Sequence, residues 1–270
     1  MSTLRVIGHR GARGLALENS LAAFDLALQL GVDAVEFDVV LTGDGKLAIY
    51  HDLEVPSAAG GQPIQAMSLA ELRRSLSAYD ERYNAPGSVP ELRDLLELVR
   101  DHSSTMDLDL EVKAPRASTI SVLRSTNRML AQIFAELDSF HLPPHVSVLS
   151  FEPQVLRRIK RVRPDLPTAL NYSRESTPAR VRGPFGFGRK ATAFDLAMSL
   201  GVRRIQPEWQ LVREDLVTTA HRLGFEVVPW VVDSKEEIVE AIRLGVDGVC
   251  TDRPDIALAV RAEVSGNQPG

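Results

Sequence analysis

Glu36 and Asp38 stand two positions apart at the head of the stretch EFDVVLTGDGKLAIYHD, and His51-Asp52 closes it. Side chains of an extended chain alternate between faces, so the two carboxylates share one face while Val35, Phe37 and Val39 take the other. Neighbouring carboxylates repel each other and call for a neutralising partner, the simplest being a hard cation. Thr42-Gly43-Asp44-Gly45-Lys46 has the composition of a hairpin turn. The return strand, Leu47 to Tyr50, then brings His51 back toward the two acids. Taken alone, the stretch also fits an edge strand whose acids face water; the rest of the chain decides between the readings.

The elements that must position these residues repeat along the whole chain. Apolar strand segments are predicted at Leu4–His9, Leu108–Lys113, Val146–Phe151, Thr168–Tyr172, Arg204–Pro207, Val227–Val232 and Val246–Cys250, each followed by a helical pattern. With the 36–52 hairpin counted once, that makes eight strand-helix units. Ser20 or Asn19 is placed to cap the first helix, whose apolar face is read as Leu21, Phe24, Leu28 and Leu30. Helices stop at Gly31, Gly201, Gly224 and Gly245, each before a short apolar strand. The expected fold is a (β/α)8 TIM barrel, an α/β class, formed by residues 1–270 as one domain. Residues 53–89 carry Pro56, Gly60, Gly61, Pro63, Pro86 and Gly87 and break the rhythm, so they are expected to form an insertion after the second strand. A Pro/Gly-rich stretch from Thr177 to Gly188 precedes a later helix. An open doubly wound sheet is the competing architecture, but no Gly-rich dinucleotide fingerprint follows the first strand.

In a parallel barrel the reacting groups lie at the carboxyl ends of the strands. The first strand delivers His9 and Arg10, the second Glu36 and Asp38, and its hairpin His51. The next alternates Asp109, Glu111 and Lys113 against Leu108, Leu110 and Val112, and later strands deliver Ser150, Glu208, Trp230 and Asp252. Three carboxylates without a cysteine select Mg²⁺ or Ca²⁺ over zinc. Arg10 and Lys113 beside such a cation suit a phosphoryl group, and two histidines suit acid and base work across it. The quieter readings are a rim ion pair for Arg10, core packing for Trp230, a structural acid at Asp109, and structural roles for Glu208 and Asp252. Glu18 and Asn19 are expected to brace the first loop.

Composition removes several classes. Lys and Arg total 31 against 36 Asp and Glu, a net charge of −5, which gives no footprint for nucleic acid. One cysteine, Cys250, excludes an internal disulfide and a multi-cysteine metal site. No apolar run is long enough for stable membrane insertion and no leader segment is visible, so a cytoplasmic location is the default expectation. Oligomeric state is not encoded in any of these features.

The ordered pattern His9-Arg10-Gly11, Glu18-Asn19-Ser20, Glu36-Phe37-Asp38-Val39, His51-Asp52, Leu110-Glu111-Val112-Lys113, Ser150-Phe151-Glu152-Pro153, Pro229-Trp230 and Thr251-Asp252-Arg253-Pro254 resembles the glycerophosphodiester phosphodiesterases. The resemblance runs from about Leu4 to about Val260. It implies a TIM barrel with a small insertion after the second strand, one divalent cation on Glu36, Asp38 and Glu111, and His9 and His51 as the acid/base pair. Arg10 and Lys113 would bind phosphate and Trp230 would line the pocket. The implied substrate is a small glycerophosphodiester, hydrolysed to sn-glycerol 3-phosphate and an alcohol. Ser20 stands where the family usually has Thr, and the insertion opens with Leu53-Glu54-Val55-Pro56 in place of the Arg-Thr-Thr run many members carry. Two other classes compete: a lysophospholipase D-like or cyclising phosphodiesterase acting on lipids, and a non-catalytic phosphodiester-binding barrel. Ala58-Ala59-Gly60-Gly61 offers little of the apolar rim the first needs, and the second has no use for two histidines.

Overall fold

The computed structural model describes residues 3–56, 61–102, 106–115, 119–140, 145–175 and 192–266. Strands followed by helices alternate along the chain, and the fold is a (β/α)8 barrel, as the sequence rhythm predicts. The chain clusters into two units, Ile7–Val146 with Asp252–Pro254, and Met1–Val6 with Ser147–Thr251 and Asp255–Gly270.

The first unit carries β1 (Arg5–His9, from Ile7 onward), α1 (Leu21–Leu30), β2 (Ala34–Leu41), β3 (Leu47–Ile49), β4 (Glu54–Val55), β5 (Gln62–Pro63), α2 (Leu69–Tyr79), α3 (Leu92–Asp101), β6 (Asp107–Val112) and α4 (Ile120–Phe140). β1, β2 and β6 are parallel neighbours with β2 between the other two, and β3 runs back along β2. All eight residues of β2 are buried. In the second unit lie β7 (Val146–Ser150, from Ser147 onward), α5 (Pro153–Val162), β8 (Thr168–Tyr172), α6 (Ala193–Leu200), β9 (Arg204–Pro207), α7 (Glu214–Arg222), β10 (Glu226–Val227), α8 (Lys235–Leu244), β11 (Gly248–Thr251) and α9 (Pro254–Gly266, from Asp255 onward). There β8 sits beside β7 and β9, and β9 beside β10, all parallel.

Helix boundaries follow from capping chemistry. Ser20 accepts from the Ala23 amide at the start of α1, and Ser234 and Thr192 form reciprocal boxes with Glu237 and Asp195 at α8 and α6. Gly31, Gly201 and Gly245 end their helices in the left-handed conformation, where a Cβ would be strained. The buried face of α1 is Ala23, Phe24 and Ala27; Leu21, Leu28 and Leu30 are only half-buried, because small alanines let this helix sit close to the sheet. The strand expected at Val227–Val232 is regular only at Glu226–Val227. Pro229 has no amide proton to continue the ladder, and beyond it Trp230 survives as isolated bridges to Glu208 and Cys250. The Thr177–Gly188 stretch and Ser118, expected to begin the fourth helix, lie outside the described residues.

The described residues of 53–89 add no barrel strand. Their described part forms the β4–β5 hairpin, a 3₁₀ turn at Ile64–Ala66, α2, and a second 3₁₀ turn at Glu81–Asn84. Val55, Ile64, Met67, Leu69, Leu72, Leu76 and Val89 form one cluster with Val40, Ala48 and Tyr50 of the hairpin region. Leu72 and Leu76 are 0% and 1% exposed, and side chains so buried contribute ~1.5–3 kcal/mol each. The segment is therefore fastened to the hairpin that carries Glu36 and Asp38, through Val40, Ala48 and Tyr50. No helix among the described residues is long and apolar enough to cross a membrane.

Candidate active site

Parallel register assembles the site. His9 pairs with Glu36 across β1 and β2, Glu36 with Asp109 across β2 and β6, and Asp38 with Glu111. Side chains in register on neighbouring parallel strands share a face. Glu36, Asp38 and Glu111 are buried, with one oxygen from each lying within 4.8 Å of the others. The solvated-edge reading of Glu36 and Asp38 is thereby excluded. Asp109 is also buried, but it is not part of this close group.

The cations predicted for the site are in it. Lys113 places Nζ 2.5 Å from Glu111 Oε1 and 3.0 Å from Asp38 Oδ1. Arg10 sets Nε 3.1 Å from Asp38 Oδ2 and Nη1 2.8 Å from Glu18 Oε1. Its backbone has φ 51°, a left-handed conformation that is costly without glycine, and its amide donates to Glu36 Oε2 at 3.2 Å. Strain at a residue whose backbone and side chain both touch the acids fits a site held against its local preference.

His9 lies with Nε2 3.9 Å from Glu36 Oε2 and Nδ1 2.6 Å from Asp252 Oδ1. His51 has the same arrangement with its chain neighbour, Nδ1 to Asp52 Oδ1 at 2.6 Å, and is close enough to Asp38 to lower its pKa. Trp230 belongs to the other unit, where its Nε1 donates to the Gln206 carbonyl at 2.9 Å and its ring meets Phe151 edge-on at 5.5 Å.

Three residues do more here than their sequence pattern indicates. Asn19, at φ 56°, donates from Nδ2 to Asp38 Oδ2 at 2.8 Å and accepts the Asp38 amide at 3.3 Å, gripping that residue at two points. Asp252, read from sequence as an acid of undecided role, is the partner of His9. Arg13, which no pattern singled out, pairs with both Asp252 and Glu18. Glu18 braces the first loop as expected.

The electrostatics are uneven. Burial, then Asp38 and Glu111, push the Glu36 carboxyl well above the usual range. Burial acts the same way on Asp38, but Lys113 and Arg10 outweigh it and hold that carboxyl below its usual range. Burial would lower the Lys113 ammonium, yet Glu111 and Asp38 raise it. Three acids against Lys113 and Arg10 leave one negative charge when all five groups are ionised. A divalent cation would turn that into one positive charge and relieve the repulsion felt at Glu36. The donor set, all hard carboxylate oxygens, suits Mg²⁺ or Ca²⁺.

Residues 9–256 match the family described as the glycerophosphoryl diester phosphodiesterase family. A glycerophosphodiester phosphodiesterase of Caldanaerobacter subterraneus subsp. tengcongensis is 28% identical over 258 residues, covering 94% of this chain and 96% of that one. A crystal structure from Silicibacter pomeroyi DSS-3 ascribed to the same family superposes with a TM-score of 0.81 at 29% identity, over 97% of this chain and 94% of that one. An Oleispira antarctica phosphodiesterase, solved with its product sn-glycerol-3-phosphate, shares the fold at a TM-score of 0.74 and 23% identity, over 95% and 96% of the two chains.

Proposed function

The chain belongs to the glycerophosphoryl diester phosphodiesterase family, an enzyme family, and from that premise we propose that it hydrolyses glycerophosphodiesters to sn-glycerol 3-phosphate and an alcohol. The observation that carries the reading is the buried group Glu36, Asp38 and Glu111, met by Arg10 and Lys113 and flanked by His9. Glu36, Asp38 and Glu111 hold one divalent cation, Mg²⁺ or Ca²⁺. When bound, that ion supplies Lewis-acid polarisation of a phosphoryl oxygen.

The remaining work falls to the chain's own side chains. Arg10 and Lys113 orient the phosphodiester and bear the charge that grows on it in the transition state. Asp252 and Asp52 accept the Nδ1 proton of His9 and His51, which leaves Nε2 of each ring for proton transfer. One histidine takes the proton of the attacking oxygen and the other gives one to the leaving alcohol oxygen, because a single ring cannot serve both sides of phosphorus at once. Trp230 lines the alcohol side. Residues 53–89 cap the mouth and tune which alcohol is accepted, within one catalytic domain. A cytoplasmic location completes the reading, supported by the single buried thiol of Cys250.

The test is a panel of glycerophosphodiesters and lysophospholipids offered to purified protein, with and without chelator. Release of sn-glycerol 3-phosphate that stops on chelation and returns with Mg²⁺ or Ca²⁺ is expected. Full turnover by exhaustively chelated protein, or no turnover of any glycerophosphodiester, overturns it.

A further inference from the structure

Arg13 is exposed, lies outside the strands, and matches no motif, yet it joins two carboxylates that each hold a residue of the reaction centre. Its Nε lies 2.5 Å from Glu18 Oε2 and its Nη1 3.3 Å from Asp252 Oδ2. The second oxygen of Glu18 accepts from Arg10 Nη1 at 2.8 Å, and that of Asp252 meets His9 Nδ1 at 2.6 Å. His9 and Arg10 are consecutive in the chain, so the pairs close into a ring. We propose that Asp252 and Arg13 are positioning residues: Asp252 fixes the ring orientation and tautomer of His9, and Arg13 ties that setting to the guanidinium of Arg10 through Glu18. The proposal rests on the phosphodiesterase reading for its kinetic consequences, but not for its structural one.

The backbone beneath the ring leaves little freedom. Gly14 donates its amide to the Asp252 carbonyl at 2.8 Å. A Cβ at Gly14 would stand 2.6 Å from that carbonyl oxygen and 2.6 Å from Arg253 Cδ, so the loop lies flush against the segment that presents Asp252. Gly11, at φ +83°, is equally confined, since a Cβ there would come within 2.7 Å of the Ala23 carbonyl carbon. The main chain on both sides of Arg13 is thus fixed at Gly11 and Gly14, and its side chain is launched from a defined point.

The chemistry favours these residue types. The carboxylate of Asp252 can only accept, which puts the imidazole proton on Nδ1 and leaves Nε2 bare on the side of Glu36. A planar guanidinium presents several N–H groups in a rigid fork and can serve two carboxylates at once. A lysine offers a point charge on a flexible stem and would not hold both at set directions. Because the Arg13 side chain is 37% exposed, its pairs are screened and contribute little to overall stability. A purely surface role would therefore leave kinetics unmoved, whereas a positioning role moves kinetics while the melting temperature stays put.

Two measurements separate the proposal from the functional reading. The first is the ¹⁵N NMR spectrum of histidine-labelled protein, with the His9 signals identified by their loss in His9→Gln. The wild type is expected to show His9 protonated at Nδ1, and Asp252→Ala a mixture of tautomers; an unchanged His9 pattern in Asp252→Ala overturns the positioning role whatever the protein hydrolyses. The second is steady-state kinetics on glycerophosphodiesters. Asp252→Asn is expected to lower kcat by roughly 10- to 100-fold, as loss of an orienting partner does elsewhere. Arg13→Met is expected to raise KM and lower kcat by roughly three- to fivefold, the size a half-exposed pair transmits, with Arg13→Lys only partly restoring both. Wild-type kcat and KM in Arg13→Met would remove Arg13 from the ring. A wild type inert toward every glycerophosphodiester would sink the functional reading, while the NMR result would still decide the ring.

Discussion

His9 and His51 meet an aspartate in the same way, Nδ1 to Oδ1 at 2.6 Å, yet the two pairs are built on opposite plans. His51 uses its chain neighbour. Its side chain is 35% exposed and that of Asp52 58%, so water competes for every hydrogen bond they make. His9 uses a partner 243 positions away, in surroundings that leave the two side chains 11% and 22% exposed. The first pair is assembled by local sequence and follows its own loop. The second is assembled by the fold, and its direction is as rigid as the strands behind it. The imidazole beside the buried acids is held by the fold; the one on the hairpin return is held by its neighbour.

The comparison can be broken at several levels. The largest effect is expected where both pairs lose their purpose together. Glu111→Gln or exhaustive chelation should reduce turnover to background while the fold, followed by circular dichroism, survives. Residual turnover that still depends on either histidine would mean the acids are not central. Next come the histidines themselves. His9→Ala and His51→Ala should each cost at least ~10²-fold in kcat, with the metal still bound, as general acid–base groups do. A nitrophenyl phosphodiester, whose leaving group needs little protonation, should rescue the mutant that lacks the acid and not the one that lacks the base. Rescue of both or neither would deny the division of labour.

The aspartates sharpen the contrast further. Asp52→Asn should lower kcat by no more than roughly fivefold, the worth of an exposed pair, and added salt should shrink that difference. A penalty at Asp52 equal to that at Asp252 would erase the distinction between local and fold-built support. The smallest expected effect lies in stability against pH. For Asp252, burial pushes upward, but the His9 hydrogen bond and nearby cations hold the carboxyl below its usual range; at Asp52 the hydrogen bond to His51 does so. Each contribution is present above the unfolded carboxylate value of roughly 3.9 and is lost as pH falls through the lower folded value. Melting temperatures between neutral pH and pH 3 should therefore fall less steeply in Asp252→Asn than in the wild type, with a fainter change in Asp52→Asn. Parallel curves for all three proteins would contradict the burial argument.

Much of this was readable beforehand, for a physical reason. Strand alternation puts Glu36, Asp38, Glu111 and Lys113 on defined faces, and a period of two survives any tertiary arrangement. Helix stops at glycine and caps at serine are equally local, so the barrel rhythm could be counted. What escaped depends on distance in space. The grip of Asn19 on Asp38 needs a left-handed backbone that nothing nearby in the chain demands. The Asp252–His9 contact spans nearly the whole chain, and Arg13 gains meaning only once both carboxylates are placed. The shortening of β10 was visible in Pro229, whose missing donor ends a ladder, but the apolar run around it argued the other way. Within the insertion, the location of Ile64 in the cluster behind Tyr50 shows that a trim from Ser57 to Ile64 would remove a core side chain; a substrate-preference test should spare it. Ser57 to Gly60 lie outside the described residues.

The long reach between His9 and Asp252 also sets an order of events during synthesis. His9 leaves the ribosome 243 residues before its partner. A nascent chain that has passed Lys113 but not reached residue 252 therefore carries the acids, the lysine and both imidazoles, but lacks the carboxylate that aims one of them. The aim of that imidazole is thus settled only after the acids it serves are already in the chain.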